Sequence, residues 1–396
     1  MKEFSQKALK IAPSATLSIS AKANEMRKNG ESVISFSVGE PDFKTPAFII
    51  NACKEALDKG LTKYTPVGGT AELKKAVCDK FLRDNDLRFA PDEIVVSDGA
   101  KSSLFHALSA ILNPGDEVII PAPYWLTYPE AVSICGGVPV FVKTDSKNGY
   151  KITAKELEGA ITKKTKCVII NTPCNPTGSV YSGAELEALA EIIVKRDIFV
   201  ISDEVYEKLV FGKEHVSIAS LNDKIKELTI VVNAVSKSYA MTGWRIGYLA
   251  CNGKLAKVIT SLQSHTTSNA TSFCQYAAAV ALNTGDESVS EMATVFAHRR
   301  KLILKLLGEI PDISFVSPEG AFYVFVNVSK YYGKIHNGVK ITGSVDFCEA
   351  LLTAGVAAVP GKPFGADECV RLSYATLEEN IIEGIERFKT FLRDLT

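Results

Sequence analysis

The chain has 396 residues, 46% of them hydrophobic and 23% charged. These are values of an ordinary globular protein long enough for about two or three domains, which excludes a fibrous or largely disordered one. Its 45 basic side chains balance its 45 acidic ones, so the chain lacks the positive field that nucleic acid or an anionic membrane would need.

The nine cysteines, Cys53, Cys78, Cys135, Cys167, Cys174, Cys251, Cys274, Cys348 and Cys369, are odd in number, scattered, and form no CxxC pair. That usage fits reduced thiols of a cytoplasmic protein and argues against a structural zinc site, and no metal is expected. Residues 1–6 are polar rather than apolar like a signal peptide, and no later run reaches the roughly 18 apolar residues of a membrane span. The expected partners are small molecules, with no nucleic acid and no membrane.

A helical stretch ending at Gly30 precedes a strand over 33–38, a segment too short for a core of its own and expected to pack on a later domain. Between about 45 and 283, short β-branched runs at 94–97, 117–121, 138–142, 167–171, 198–203, 229–233 and 246–251 alternate with helical patterns. Such alternation implies an α/β unit whose mostly parallel sheet is covered by helices, with ligands at the C-terminal ends of the strands. After about 284 the pattern changes to a long helical stretch at 288–307, strands near 322–327 and 370–374, and a closing helix at 378–395, which reads as an α+β domain.

Chemistry concentrates at the strand ends. Ser97-Asp-Gly-Ala-Lys-Ser-Ser103 follows a strand and opens an amphipathic helix; backbone N–H groups at such a start suit a phosphate, and Gly99 and Ala100 keep the approach open. Many turns of small residues bind nothing, so this one is weak evidence alone. The absence of GxxxxGK[ST] and GxGxxG points to a monophosphate rather than a nucleoside triphosphate or dinucleotide. In Pro121-Ala-Pro-Tyr-Trp-Leu-Thr-Tyr128, Trp125 either covers a flat ring or packs the loop. Asn175, in Asn171-Thr-Pro-Cys-Asn-Pro-Thr-Gly178, either presents its amide to a ligand or belongs to a plain Asn-Pro turn.

Asp203, in Ile201-Ser-Asp-Glu-Val-Tyr206, ends an apolar strand, where a carboxylate can hold a pyridine nitrogen protonated or simply cap the next helix. Tyr206 is placed to donate a hydrogen bond to a phenolate-type oxygen. The strongest segment runs from Asn233 to Tyr248, where an apolar strand leads into Lys237 between Ser236 and Ser238. Desolvation there would depress an amine's pKa, as imine formation requires. A lysine taken alone is an exposed residue by default, and it is the company of Lys237 that argues otherwise. Arg245 adds a cation eight residues on. Arg371, in Val370-Arg-Leu-Ser-Tyr-Ala375, interrupts an apolar strand and calls for a carboxylate, from a substrate or from a buried acid.

Together these segments resemble the fold-type-I pyridoxal-phosphate enzymes, class I/II aminotransferases, and within them the bacterial aspartate aminotransferases of subgroup 1b, from about Ala12 to the final helix. The resemblance implies a seven-stranded, mostly parallel sheet in a large domain, 46–290, and a smaller domain built from 1–45 together with 291–396. It implies pyridoxal 5'-phosphate as cofactor and these roles: Lys237 as Schiff-base lysine, Asp203 as ring-nitrogen partner, Tyr206 and Asn175 as partners of the ring oxygen, and Arg371 as clamp on the α-carboxylate. Gly39 and Trp125 match positions that touch substrate, Trp125 also lying over the cofactor. Arg245 and the Gly99–Lys101 turn match the phosphate site. Tyr64 resembles the tyrosine that reaches the phosphate of the neighbouring subunit, which implies a homodimer with shared active sites.

Thr16 and Lys101 resemble contacts to a substrate's distal carboxylate, and an ammonium there favours acidic substrates. Lys101 as a helix-surface residue is the other reading. Ala234 departs from the pattern where some aminotransferases place a phosphate-binding serine, and Ser236 or Ser238 is left as the replacement. The implied activity moves an amino group between an L-amino acid, aspartate first, and a 2-oxo acid, 2-oxoglutarate, by a ping-pong route through pyridoxamine phosphate. Prephenate, broad or aromatic transamination and a cysteine-conjugate β-lyase are the enzymatic alternatives. A cofactor-sensing regulator would need a DNA-reading module, for which the sequence shows neither room nor a basic patch.

Overall fold

The computed structural model describes residues 3–9 and 11–396, leaving aside the side chains of residues 6 and 7; residues 1 and 2 of the polar N-terminal stretch lie outside the described residues. Seven strands form the central sheet: β1 (Ile94–Ser97), β2 (Glu117–Ala122), β3 (Val138–Lys143), β4 (Thr165–Asn171), β5 (Phe199–Asp203), β6 (Thr229–Ala234) and β7 (Gly247–Ala250). Their order is β1-β7-β6-β5-β4-β2-β3. Only β7 runs against its neighbours β1 and β6, so the sheet is mostly parallel, as expected. The central strands are buried along nearly their whole length, which explains their continuous rather than alternating apolar runs.

The parallel strands end together. Asn171 of β4 pairs in register with Asp203 of β5, and Asp203 pairs with Val232 of β6. Three strand ends therefore deliver Asn171, Asp203 and Ala234 to one rim, the position at which an open α/β sheet binds its ligands. Beyond β6 the chain makes a single helical turn, Val235–Ser238, that carries Lys237.

A second, four-stranded antiparallel sheet has the order β10-β11-β9-β8, with β8 Ser314–Phe315, β9 Tyr323–Asn327, β10 Val359–Pro360 and β11 Cys369–Ser373. The closing helix Glu378–Asp394 packs on the long helix Asp286–Gly308 through Ile381, Ile385, Phe388 and Leu392, spaced three or four apart along one face. Fully burying a side chain such as Phe388 contributes roughly 2–3 kcal/mol. The expected strand at 33–38 shortens to Ile34–Ser35, which pairs in parallel with Val356–Ala357. After Phe36 the chain leaves this pairing, and the Ser37 carbonyl turns to the Arg371 guanidinium instead. The helix Ser344–Thr353 and the short strands Ile335–His336 and Val339–Lys340 were not expected.

Candidate active site

A cavity of about 520 Å³ opens at the C-terminal rim of the central sheet, closed on its far side by β9, β11 and residues 14–40. Lys237 is half-buried and its Nζ donates to the Gly39 carbonyl at 2.6 Å. Burial is the main influence on this amine and brings its pKa down to about 8; removing an ammonium from water favours the neutral form.

Asp203 faces Lys237 from the end of β5. The Tyr128 hydroxyl donates to its Oδ2 at 2.6 Å. Burial pushes the carboxyl up to about 6, while the Tyr128 hydrogen bond and the Lys237 charge pull against that shift. Asn171 steadies the neighbouring strand end: its Nδ2 donates to the Asp203 carbonyl at 3.0 Å and its Oδ1 accepts from the Asn175 amide at 2.8 Å. The Asn-Pro turn is thereby tied to the site, and Asn175 Oδ1 accepts from Arg371 Nη1 at 3.0 Å.

Arg371 is 2% exposed. Among the described residues it donates, besides Asn175, only to the Ser37 carbonyl, at 3.0 Å, and its Nε has no partner. The guanidinium lies 4.4 Å from the Tyr323 ring centroid and 5.3 Å from that of Phe364. Among the described residues no carboxylate pairs with it. Of the two partners the sequence allowed, the buried acid is thus not the one used. A guanidinium so desolvated and under-bonded is costly to keep, and a carboxylate is the group that could complete its bonding.

The helix Ala100–Ile111 begins at the rim after Gly99, whose φ is +83°. A Cβ at Gly99 would come within 2.5 Å of Arg245 Nη2, and one at Gly247 within 2.3 Å of the Ala100 nitrogen. Only glycines allow the guanidinium and the helix start to approach this closely. Arg245 Nη2 also donates to the Asp98 carbonyl at 3.3 Å and Nη1 to the Thr242 carbonyl at 3.0 Å. The start of that helix, with its dipole, and the exposed Arg245 could together hold an anion.

Lys101 lines the cavity, its ammonium 5.1 Å from the Trp125 ring centroid. Trp125 also lines it and meets Tyr128 edge-on at 5.5 Å. Thr16, Tyr206 and Ser236 complete the expected lining. Ser238 is buried but outside the cavity, as is Gly99. Tyr64 stands apart from this chain's own cavity, 92% exposed.

A family model, aminotransferase class I and II, matches residues 31–388. The chain is 49% identical to an aspartate aminotransferase of Bacillus sp. (strain YM-2), over 99% of this chain and 100% of that one. It is 48% identical to a probable aspartate/prephenate aminotransferase of Aquifex aeolicus, over 97% of each. Among solved structures it is similar to an aspartate aminotransferase from Rhizobium meliloti, with a TM-score of 0.96, 42% identity and complete coverage of both chains. A second is the Thermus thermophilus aspartate aminotransferase with maleate, at a TM-score of 0.93 and 40% identity over 99% of this chain and 100% of that one. The chain belongs to the class I and II aminotransferases.

Several side chains in the cavity of this aminotransferase were not singled out in the sequence. Tyr128 lay inside the 121–128 loop, where an aromatic three residues after Trp125 looks like loop packing. Tyr323 sits in an apolar strand and reads as core. Glu40, whose Oε2 accepts from Thr242 Oγ1 at 2.5 Å, follows Gly39 in a loop and carried no local signal.

Proposed function

We propose that this aminotransferase uses pyridoxal 5'-phosphate to move the amino group of L-aspartate to 2-oxoglutarate. The carrying observation is that Arg371, buried and without a carboxylate partner among the described residues, shares one cavity with an amine whose pKa is brought down to about 8. The names of the relatives and the second cation at the cavity, Lys101, support the acidic substrate.

The chain has what the cofactor needs. Lys237 would hold its carbonyl carbon, Asp203 its ring nitrogen, Tyr206 and Asn175 its ring oxygen, and Trp125 would cover its face. The Gly99, Ala100 and Lys101 turn would hold the phosphate with Arg245 and Ser236. Between the two serines left open by Ala234, the cavity favours Ser236. When bound, pyridoxal 5'-phosphate supplies a ring that withdraws electrons from the substrate's α-carbon.

Around that chemistry the residues divide the work. Arg371 and Asn175 orient the substrate's α-carboxylate and so fix which α-carbon bond faces Lys237. Lys237, about half of it neutral at pH 8, takes and returns the proton at that carbon. Thr16 and Lys101 meet a second carboxylate, and Gly39 leaves room for the first. Asp203, ionised above about pH 6, keeps a ring nitrogen protonated.

The same reading divides the chain into 46–290 and 1–45 with 291–396, with the cavity between them. It pairs two copies as a cytoplasmic homodimer whose Tyr64 residues cross to the partner's phosphate cradle. The exposure of Tyr64, and the lack of any disulfide among the described residues, support it.

Absorbance of the purified protein with pyridoxal 5'-phosphate, before and after aspartate, tests the reading, with oxaloacetate measured when 2-oxoglutarate is the acceptor. A protein-bound band that aspartate shifts, together with oxaloacetate, is the expected result. A bound band that aspartate leaves untouched would overturn the substrate, and no bound band would overturn the cofactor.

A further inference from the structure

Tyr323 begins β9, and antiparallel pairing sets Phe325 of that strand opposite Arg371 of β11. Residues two apart share a face of a strand, so Tyr323 is the diagonal neighbour of Arg371. Its ring consequently lies beside the guanidinium at 4.4 Å. The ring is fully buried, yet one edge reaches the cavity.

At that edge the Tyr323 and Tyr206 hydroxyls are 2.9 Å apart. One of them donates to the other. Among the described residues neither hydroxyl has another partner, and both tyrosines line the cavity, but only Tyr206 is proposed to meet the cofactor's ring oxygen. With Tyr206 giving its proton to that oxygen, Tyr323 is left to donate to the Tyr206 oxygen. Gly39 holds this geometry open, since a Cβ there would come 3.2 Å from the Tyr323 hydroxyl.

We propose that Tyr323 is a positioning residue acting through Tyr206: its hydroxyl strengthens the hydrogen bond that Tyr206 offers to the cofactor's ring oxygen, while its ring supports Arg371. The inference rests on the function proposed above and names a residue that reading left out. Hydrogen bonds in a chain polarise one another, so a phenol that accepts one donates a stronger one. A stronger donation to the ring oxygen stabilises its anionic form and lowers the pH at which the linkage to Lys237 gives up its proton. One side chain thereby joins the group proposed to receive the α-carboxylate to the group proposed to tune the ring.

The test is a pH titration of the absorbance of cofactor-loaded protein. Tyr323→Phe keeps the ring beside Arg371 and removes only the hydroxyl. The charged groups facing Tyr206, Asp203 and Arg371, are unchanged, as are Glu40, Arg371, Arg245 and Asp203 around Lys237. The midpoint should rise by roughly 0.1–0.5 pH unit, since one bond in such a chain strengthens the next by about 10–30%. In a Tyr206→Phe background the same change should add nothing, because the relay has lost its second member. An unmoved or lowered midpoint, or an equal shift in both backgrounds, would overturn the inference alone. No bound band in the unmodified protein would instead remove the proposed cofactor, and the inference with it.

Discussion

The Tyr128 hydroxyl donates to the Asp203 carboxylate over 2.6 Å in a fully buried setting. Even with that donor, burial holds the carboxyl up at about pH 6 against an ordinary 3.8. The folded cofactor-free protein therefore binds a proton here that the unfolded chain has released, and stability falls as pH rises from about 3.8 to about 6. Above that window the buried charge is a standing penalty.

Asp203→Asn should accordingly stabilise the cofactor-free protein at pH 8, by about 1–3 kcal/mol, while activity falls by at least about a hundredfold. Denaturant melts at pH 8 and at pH 4 check this. The gain should shrink toward pH 4, and a variant less stable than its parent at pH 8 would contradict the electrostatic reading.

Arg371→Lys keeps the charge but loses the planar fork that reaches both Asn175 and the Ser37 carbonyl. The KM for aspartate should rise by about two orders of magnitude, since ammonium and carboxylate cannot form the same paired bonds. Steady-state kinetics across aspartate concentrations measure it. A KM within a factor of a few would place the α-carboxylate elsewhere.

Gly99→Ala meets two obstacles, a φ of +83° and an Arg245 nitrogen 2.5 Å from the new Cβ. Stability should drop by roughly 1 kcal/mol or more, and affinity for pyridoxal 5'-phosphate should fall by at least about tenfold as the cradle widens. Equilibrium dialysis against the cofactor, alongside thermal melts, tells the two effects apart. Unchanged affinity in a destabilised variant would remove Gly99 from the phosphate site.

Tyr64→Phe and Lys237→Ala proteins, each impaired, should regain activity when unfolded and refolded together. In a hybrid dimer one site draws Lys237 from one copy and Tyr64 from the other, and random mixing restores about a quarter of the sites. No recovery in mixtures shown to contain hybrids would put Tyr64 outside the partner's site.

The central sheet was legible because burial on both faces writes seven runs of valine and isoleucine into the chain, and the observed strands fall within about two residues of those runs at each end. Lys237, Asp203, Asn175 and Arg371 were legible because each is a polar group where an apolar strand ends or passes. Tyr128 and Tyr323 were not, since a buried tyrosine looks the same in sequence whether its hydroxyl meets a carboxylate, another phenol or nothing. The segment 33–38 misled for a related reason. Its alternation fits a strand, but Ser37 serves Arg371, 334 positions further along the chain, and only the assembled fold brings the two together.

The carboxylate partner that Arg371 lacks among the described residues also makes the protein a thermometer for carboxylates. Any acid that fills the gap binds the native state and not the unfolded chain, so it must raise the melting temperature, by the equivalent of about 2.7 kcal/mol at a hundred times its dissociation constant. Mono- and dicarboxylic acids can thus be ranked by heat alone, without cofactor or turnover. The spacing between Arg371 and Lys101 would then emerge from the length of acid that protects best.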